Sequence, residues 1–330
     1  MQILITFFFC ITISTNALAL KKQEVSFKNG AITLKGTLYL PKGEGPFPAV
    51  VFVHGSGPET RKNSKYSAKW LASIGYVALA YDKRGSGDSD GKEKDLNHFS
   101  FIDLADDVIA AVHFLSKKKE VDKSKIGLHA ASQGGWVAPL AASKTNLISF
   151  MIIKSASVCS VAEDRIFERA ARLTKEGFSN ADLMEVQEMQ TVEAKTSPEE
   201  GTSDEFTRRF EQHKDKVWFP RVYPGKDPFS KSLIEYRKWY ATIFDFSPLP
   251  YLEQIDIPIF WIFGDSKLDK HGPVEKSIAA LESLQRKGKS YEVLSYEGEG
   301  HNVKESKYES ALYHWLNDTN EYHKFKFKKH

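Results

Sequence analysis

The sequence predicts an α/β protein with a mostly parallel, doubly wound sheet and a helical insertion. Short apolar runs at residues 49–53 and 76–80 are typical of strands buried on both faces, as in a parallel sheet. Such runs alternate with helix-like stretches along much of the chain, and this alternation predicts the doubly wound sheet. The alternation breaks at about residue 155 and resumes at Ile257, which indicates an insertion in an otherwise regular fold.

Local patterns justify the individual elements. Two runs of period two, at residues 24–28 and 31–40, flank Asn29-Gly30, and this arrangement predicts a β-hairpin. Residues 100–117 place apolar side chains at helical spacing on one face. The other predicted strands are 49–53, 76–80, one beginning at 125, 148–153, 258–263 and 291–296, and the other predicted helices are 64–74, 134–143, 273–287 and 304–317.

The inserted segment, residues 156–250, is rich in charge and carries more acidic than basic residues. Helical patterns at 163–176, 181–194 and 203–216 predict a lid or cap, with a solvated linker as the alternative. Its late aromatic residues predict an apolar pocket lined by Trp218, Trp239 and Tyr240. The domain prediction is therefore a core of residues 20–155 and 251–322, the lid, and a basic tail of residues 323–330.

Composition excludes several classes of protein. The 330 residues hold 46 lysines and arginines against 43 aspartates and glutamates, a net charge of +3 that gives no support to nucleic-acid binding. Two cysteines cannot form a disulfide scaffold or a four-thiolate zinc site, and no H-E-x-x-H or C-x-x-C spacing occurs. We predict no cofactor, no metal and no nucleic-acid partner; the sequence leaves the oligomeric state unknown.

The first 19 residues differ in kind from the rest. They carry no charge, contain an apolar run at residues 3–13, and end in Ala17-Leu18-Ala19, a small-x-small cleavage pattern. This predicts a cleaved signal peptide, a secreted or periplasmic protein and no stable membrane span after cleavage. An uncleaved anchor and a buried N-terminal strand are the alternatives.

A strand that runs into Ala130-Ala131-Ser132-Gln133-Gly134-Gly135, followed by a helix, predicts a nucleophile turn with Ser132 at its apex. Small neighbours suit a strained turn whose backbone packs tightly. The usual spelling of this turn is G-x-S-x-G, and here alanine occupies the first glycine position.

Serine needs a base, and a base needs a carboxylate to orient it. His301 lies in a glycine-rich loop after the last predicted strand and is the predicted base, with His271 in reserve. Asp269, four residues before Pro273, is the predicted acid, and Asp265 is the alternative.

Acyl transfer also needs donors for the developing oxyanion. The amide of Gln133 follows the predicted nucleophile and begins a helix. The second donor is expected from His54-Gly55-Ser56-Gly57-Pro58, as the amide of Ser56 or alternatively Gly55.

Three motifs together resemble the α/β-hydrolase superfamily, and within it the bacterial serine esterases. They are residues 54–58, the D-K-R-G turn within residues 81–89, and Ser132-Gln133-Gly134-Gly135-Trp136. The resemblance covers about residues 24–317 and implies the α/β-hydrolase fold and hydrolysis of a small-molecule carboxylic ester through an acyl-enzyme. Serine peptidase and acyl-thioesterase activities are alternatives, and a non-catalytic binding protein on the same scaffold is a third.

Overall fold

The computed structural model describes residues 20–91, 99–196, 205–224, 227 and 230–326. The predicted signal peptide, residues 1–19, lies outside the described residues. Eight strands form one sheet: β1 (Lys21–Asn29), β2 (Ile32–Leu40), β3 (Phe47–Val53), β4 (Val77–Tyr81), β5 (Val121–Ala131), β6 (Ile148–Lys154), β7 (Ile259–Gly264) and β8 (Tyr291–Tyr296). Their spatial order is β1-β2-β4-β3-β5-β6-β7-β8.

The β1–β2 and β2–β4 pairs are antiparallel, and the other neighbours are parallel. The predicted hairpin is present, and Gly30 turns it with a φ of 58° that favours glycine. The mostly parallel, doubly wound sheet predicted from the alternating pattern is thereby confirmed.

Helices cover both faces of the sheet: α1 (Lys65–Ser73), α2 (Phe101–Ser116), α3 (Gly134–Ser143), α10 (Val274–Arg286) and α11 (Glu305–Lys326). Successive side chains of a strand point to opposite faces. In β3, Val51 packs into the apolar cluster shared with α2, α3 and α10, whereas Val50 and Phe52 pack into the cluster shared with α1 and α11. Both faces are buried, which explains the uninterrupted apolar run.

Two boundaries differ from the sequence expectation. Strand β5 begins at Val121, ahead of the predicted start, because Val121 pairs with Phe47 before the register shifts. Helix α11 continues to Lys326, so it enters the segment predicted as a basic tail, of which residues 327–330 lie outside the described part.

The segment between β6 and β7 is helical: α4 (Val161–Lys175), α5 (Asn180–Lys195), α6 (Glu205–His213), α7 (Phe219–Val222), α8 (Lys231–Ile243) and α9 (Leu249–Gln254). Ser160 and Ser179 cap α4 and α5 in reciprocal capping boxes with Glu163 and Asp182. Much of this segment has its own apolar cluster, which includes Trp218.

A membrane-spanning helix needs about 20 largely apolar residues. Within the described ranges, none of the helices has the length and apolar character to cross a bilayer.

Candidate active site

Ser132 occupies a sharp turn between β5 and α3. Its φ of 50° is left-handed, an unfavourable conformation for a residue with a side chain, and its backbone N–H donates to the Lys154 carbonyl at 3.0 Å. The turn also depends on Gly134, where a Cβ would lie 2.8 Å from the Val53 carbonyl oxygen. A larger residue at position 134 would therefore clash with the backbone, which explains the small residue seen there in the sequence.

His301 connects Ser132 to Asp269. Its Nε2 lies 3.1 Å from Ser132 Oγ, and its Nδ1 lies 3.2 and 3.1 Å from the two carboxylate oxygens of Asp269. An ionised carboxylate only accepts hydrogen bonds, so Nδ1 carries the proton toward Asp269. Nε2 is then free to accept the proton of the serine hydroxyl.

Asp269 is buried, with 3% of its side chain exposed. Burial raises the pKa of its carboxyl, but hydrogen bonding and charge attraction from His301, together with the His271 backbone N–H at 3.0 Å, outweigh burial and hold the pKa below its ordinary value. The carboxylate is therefore ionised when it faces His301.

Asp265, the alternative acid, does not contact His301. It instead connects its own loop, which follows β7, to the loop that follows β8. Its carboxylate accepts the backbone N–H groups of Lys267 at 2.9 Å and Gly298 at 3.3 Å. These hydrogen bonds lower its pKa. This placement explains why an aspartate directly follows the strand without contacting the imidazole.

His271, the reserve base, packs beside His301 rather than replacing it. The two rings are stacked with their centroids 4.3 Å apart, and His271 Nδ1 lies 3.6 Å from Asp269 Oδ1. Asp269, His271 and His301 form a group whose ligand atoms lie within 4.8 Å of one another. The Asp269 carboxylate and the His301 Nδ1–H are already hydrogen-bonded to each other in this group, so we propose no metal site there.

The candidate oxyanion donors lie on both sides of Ser132. Gln133 is buried at the start of α3, next to the serine. The Gly55 amide donates to Glu59 Oε2 at 3.0 Å, so this N–H is already used within the loop. The Ser56 amide is then the better candidate on that side.

A cavity of about 490 Å³ opens on Ser132 and His301. Apolar side chains of Phe52, Trp136, Phe263 and Val274 contribute to its wall. Helix α4 adds Asp164, Arg165 and Glu168, so the wall is both apolar and charged.

The three aromatic residues predicted to line an apolar pocket lie elsewhere among the described residues. Trp218 packs in the apolar cluster of the insertion and donates its indole N–H to Glu185 at 2.9 Å. Tyr240 packs in the main core, and Trp239 donates to the Phe99 carbonyl at 3.1 Å. Large aromatic rings bury much apolar surface when they pack in a core, which accounts for these positions.

Two features of the site escaped the sequence analysis. Asp164 is half-buried, with its Oδ1 shielded from solvent, and burial of the carboxyl raises its pKa to about 7. Lys83 lies beneath the Gly55–Gly57 backbone and touches Gln133. The available signal was a lysine two residues after a buried strand, between Asp82 and Arg84.

A family model for serine aminopeptidases, S33, matches residues 44–215, just over half of the chain. The chain belongs to this serine aminopeptidase S33 family. The fold described above is the α/β-hydrolase fold, to which the solved structures below also conform.

Characterised proteins resemble the chain over shorter segments. Esterase EstD of Thermotoga maritima is 34% identical over 138 residues, which are 39% of this chain and 32% of that protein. Human dipeptidyl peptidase 8 is 30% identical over 138 residues, or 38% of this chain and 15% of that protein. The matched segment thus spans a third or less of these relatives.

Solved structures extend the likeness of fold to most of the chain. An esterase of Pyrococcus furiosus superposes with a TM-score of 0.59 at 17% identity, covering 91% of each chain. Est1E of Butyrivibrio proteoclasticus, with ferulic acid bound, gives 0.57 at 19% identity, covering 89% of this chain and 98% of its own. At such low identity the likeness concerns the fold.

Proposed function

We propose that this protein hydrolyses small-molecule carboxylic esters, with Ser132 as nucleophile, His301 as base and Asp269 as orienting acid. The observation that carries the proposal is the position of His301, whose two ring nitrogens face Ser132 and Asp269 at hydrogen-bonding distance. An imidazole held in one tautomer between a hydroxyl and a carboxylate is equipped to remove the serine proton.

The reaction would proceed in two stages. Ser132 Oγ attacks the ester carbonyl as its proton passes to His301 Nε2, and the amides of Gln133 and Ser56 bind the resulting oxyanion. Collapse breaks the bond to the alkoxy group, which leaves as an alcohol with the proton from His301. Water then repeats the sequence on the acyl-enzyme and releases the carboxylic acid.

A second candidate is hydrolysis of an amide or thioester by the same residues. The charged side chains of α4 that reach the cavity favour a substrate with polar or charged groups near the scissile bond. The S33 family description and the likeness to a dipeptidyl peptidase support the amide alternative. A non-catalytic binding protein is the third outcome to be tested.

One assay separates these possibilities. The purified protein is tested against acyl esters, acyl-thioesters and dipeptide amides, with Ser132→Ala as the control. We expect the highest kcat/KM on esters and loss of hydrolysis in S132A. Preference for amides or thioesters would replace the ester assignment, and hydrolysis surviving in S132A would refute the nucleophile.

We further propose that residues 1–19 direct export to the periplasm or the exterior and are then removed. Expression with the native N-terminus, fractionation and intact-mass measurement test this directly. Exported protein beginning at Leu20 is the expected result, and full-length protein retained inside the cell would contradict it.

A further inference from the structure

We propose that Lys83 is a positioning residue that sets the oxyanion hole by clamping the loop of residues 54–59 to the nucleophile turn. This inference rests on the proposed function, because it concerns how that reaction's donors are held. The resemblance to known esterases assigned the D-K-R-G turn no part in the chemistry.

The contacts of Lys83 span both sides of the candidate site. Its Nζ donates to the carbonyls of Gly55 at 2.8 Å and Gly57 at 3.3 Å, and to Gln133 Oε1 at 2.9 Å. An ammonium has three N–H donors, so these three acceptors match its capacity. Its backbone N–H also donates to the Glu59 carbonyl at 3.1 Å, so the loop is tied to Lys83 at three points.

Peptide geometry links the clamp to catalysis. The Gly55 carbonyl and the Ser56 N–H belong to one planar trans peptide unit, in which they point in opposite directions. When Lys83 draws the carbonyl oxygen into the interior, the Ser56 N–H turns the other way, toward the cavity that Ser56 lines. Gly55 is also close to the turn, since a Cβ on it would lie 3.5 Å from Ser132 Cβ.

The charge of Lys83 is balanced locally. Only 3% of the residue is exposed, and this burial lowers its pKa to about 8, against the opposing effect of Glu59. Glu59 accepts the Gly55 N–H and lies 3.5 Å from His54 Nδ1. A buried cation is costly without such partners. The loop therefore supplies both the acceptors and the counter-charge, an arrangement that a purely apolar side chain would not need.

The test compares Lys83→Met, which keeps the length of the side chain but removes its donors, with Lys62→Met. Lys62 is exposed and follows the same loop, so K62M controls for removal of a positive charge. We expect K83M to lower kcat by about 10- to 1000-fold with KM within about threefold of wild type, because oxyanion contacts act in the transition state. K62M should match wild type.

An alkyl boronic acid provides the second readout, since its tetrahedral serine adduct occupies the oxyanion hole. Its Ki should rise in K83M in parallel with the fall in kcat/KM, while the Ki of the carboxylic-acid product stays constant. A kcat within threefold of wild type would overturn the proposal. Equal weakening of boronate and product would also overturn it, because it would indicate general damage.

If K83M does not fold, Gln133→Leu provides the test instead. This variant removes the hydrogen bond between Lys83 Nζ and Gln133 Oε1 and keeps the buried positive charge. We expect a 3- to 30-fold fall in its kcat, and wild-type kcat would overturn the proposal. Wild-type protein inactive toward every substrate would instead refute the proposed function. An active wild type, an inactive S132A and a fully active K83M would refute the clamp alone.

Discussion

Asp269 and Asp265 lie four residues apart, yet only the former faces His301 Nδ1, whereas Asp265 binds backbone N–H groups. The loop geometry, rather than proximity in sequence, distinguishes their roles. Replacing either carboxylate by its isosteric amide separates orientation of the imidazole from bracing of the loop.

We expect Asp269→Asn to lower kcat by about 10³- to 10⁴-fold, because an amide can favour the wrong imidazole tautomer. Asp265→Asn is the matched control and should stay within about tenfold, since it keeps most of the shape of the turn. Rates on a p-nitrophenyl ester provide the measurement. A large loss in D265N with an active D269N would reverse the assignment.

Asp164 predicts a pH-dependent stability. Its carboxyl pKa is raised to about 7 in the folded protein, chiefly by burial, so the folded state retains a proton that the unfolded state loses at lower pH. Stability should fall as the pH rises from about 4 to 7 through this group. Asp164→Asn removes the free-energy cost of ionising this carboxyl in the folded protein. It should therefore stabilise the protein by about 2–4 kcal/mol at pH 8 and have little effect at pH 4.

Urea denaturation of wild type and D164N at the two pH values provides the measurement. The difference between the proteins should be larger at pH 8. If the two proteins differ in free energy of unfolding by the same amount at both pH values, the pKa of Asp164 is not raised.

At the scale of elements, α4 carries Asp164, Arg165 and Glu168 into the cavity, and Ser160 begins this helix through a capping box. Helix α5 begins with the same motif at Ser179, but its residues are not among those described as lining the cavity. The chain thus offers a matched pair of caps.

Ser160→Ala and Ser179→Ala should each cost about 1 kcal/mol of stability, because an orphan N–H at each helix start loses its partner. S160A should also raise KM, whereas S179A should leave KM unchanged. Denaturation and ester kinetics on both variants check this. Identical KM values would mean that the start of α4 does not influence the cavity.

The strands and core helices could be predicted because each depends on a local sequence pattern. A continuous apolar run indicates a strand buried on both faces, and apolar residues at helical spacing indicate a helix buried on one face. The early pairing of Val121 with Phe47 depends on contacts across the sheet, so β5 was predicted too short. Ser132 and His301 were identifiable from their turns. The choice between the two aspartates depends on which carboxylate reaches the His301 ring after folding. The contacts of Lys83 depend on backbone carbonyls that converge only in the folded protein.

At the scale of the whole molecule, two apolar clusters cover the faces of the sheet and a third lies within the insertion. Tyr240 and Phe244 pack with the main core, so α8 anchors the insertion to it. Trp218 and Tyr240 of the insertion therefore pack within apolar clusters. The cavity takes its wall from the strand ends, the loops, α4 and parts of other core helices such as α3 and α10.

Substrate size should accordingly respond to the cavity wall rather than to the cluster of the insertion. Val274→Phe enlarges a lining side chain and should change the chain-length profile on p-nitrophenyl esters. Trp218→Phe should lower stability, through lost packing and the lost hydrogen bond to Glu185, and leave that profile unchanged. A profile that changes in W218F and stays the same in V274F would instead support the pocket of aromatic residues predicted from the sequence.

The central claim is that His301 and Asp269 make Ser132 the nucleophile of a serine hydrolase, and covalent labelling tests it most directly. Wild type and S132A are treated with an alkyl fluorophosphonate, followed by intact-mass measurement and peptide mapping. The account predicts a single adduct on Ser132 in wild type and no adduct in S132A. An unlabelled wild type, or an adduct on another residue that persists in S132A, would contradict it.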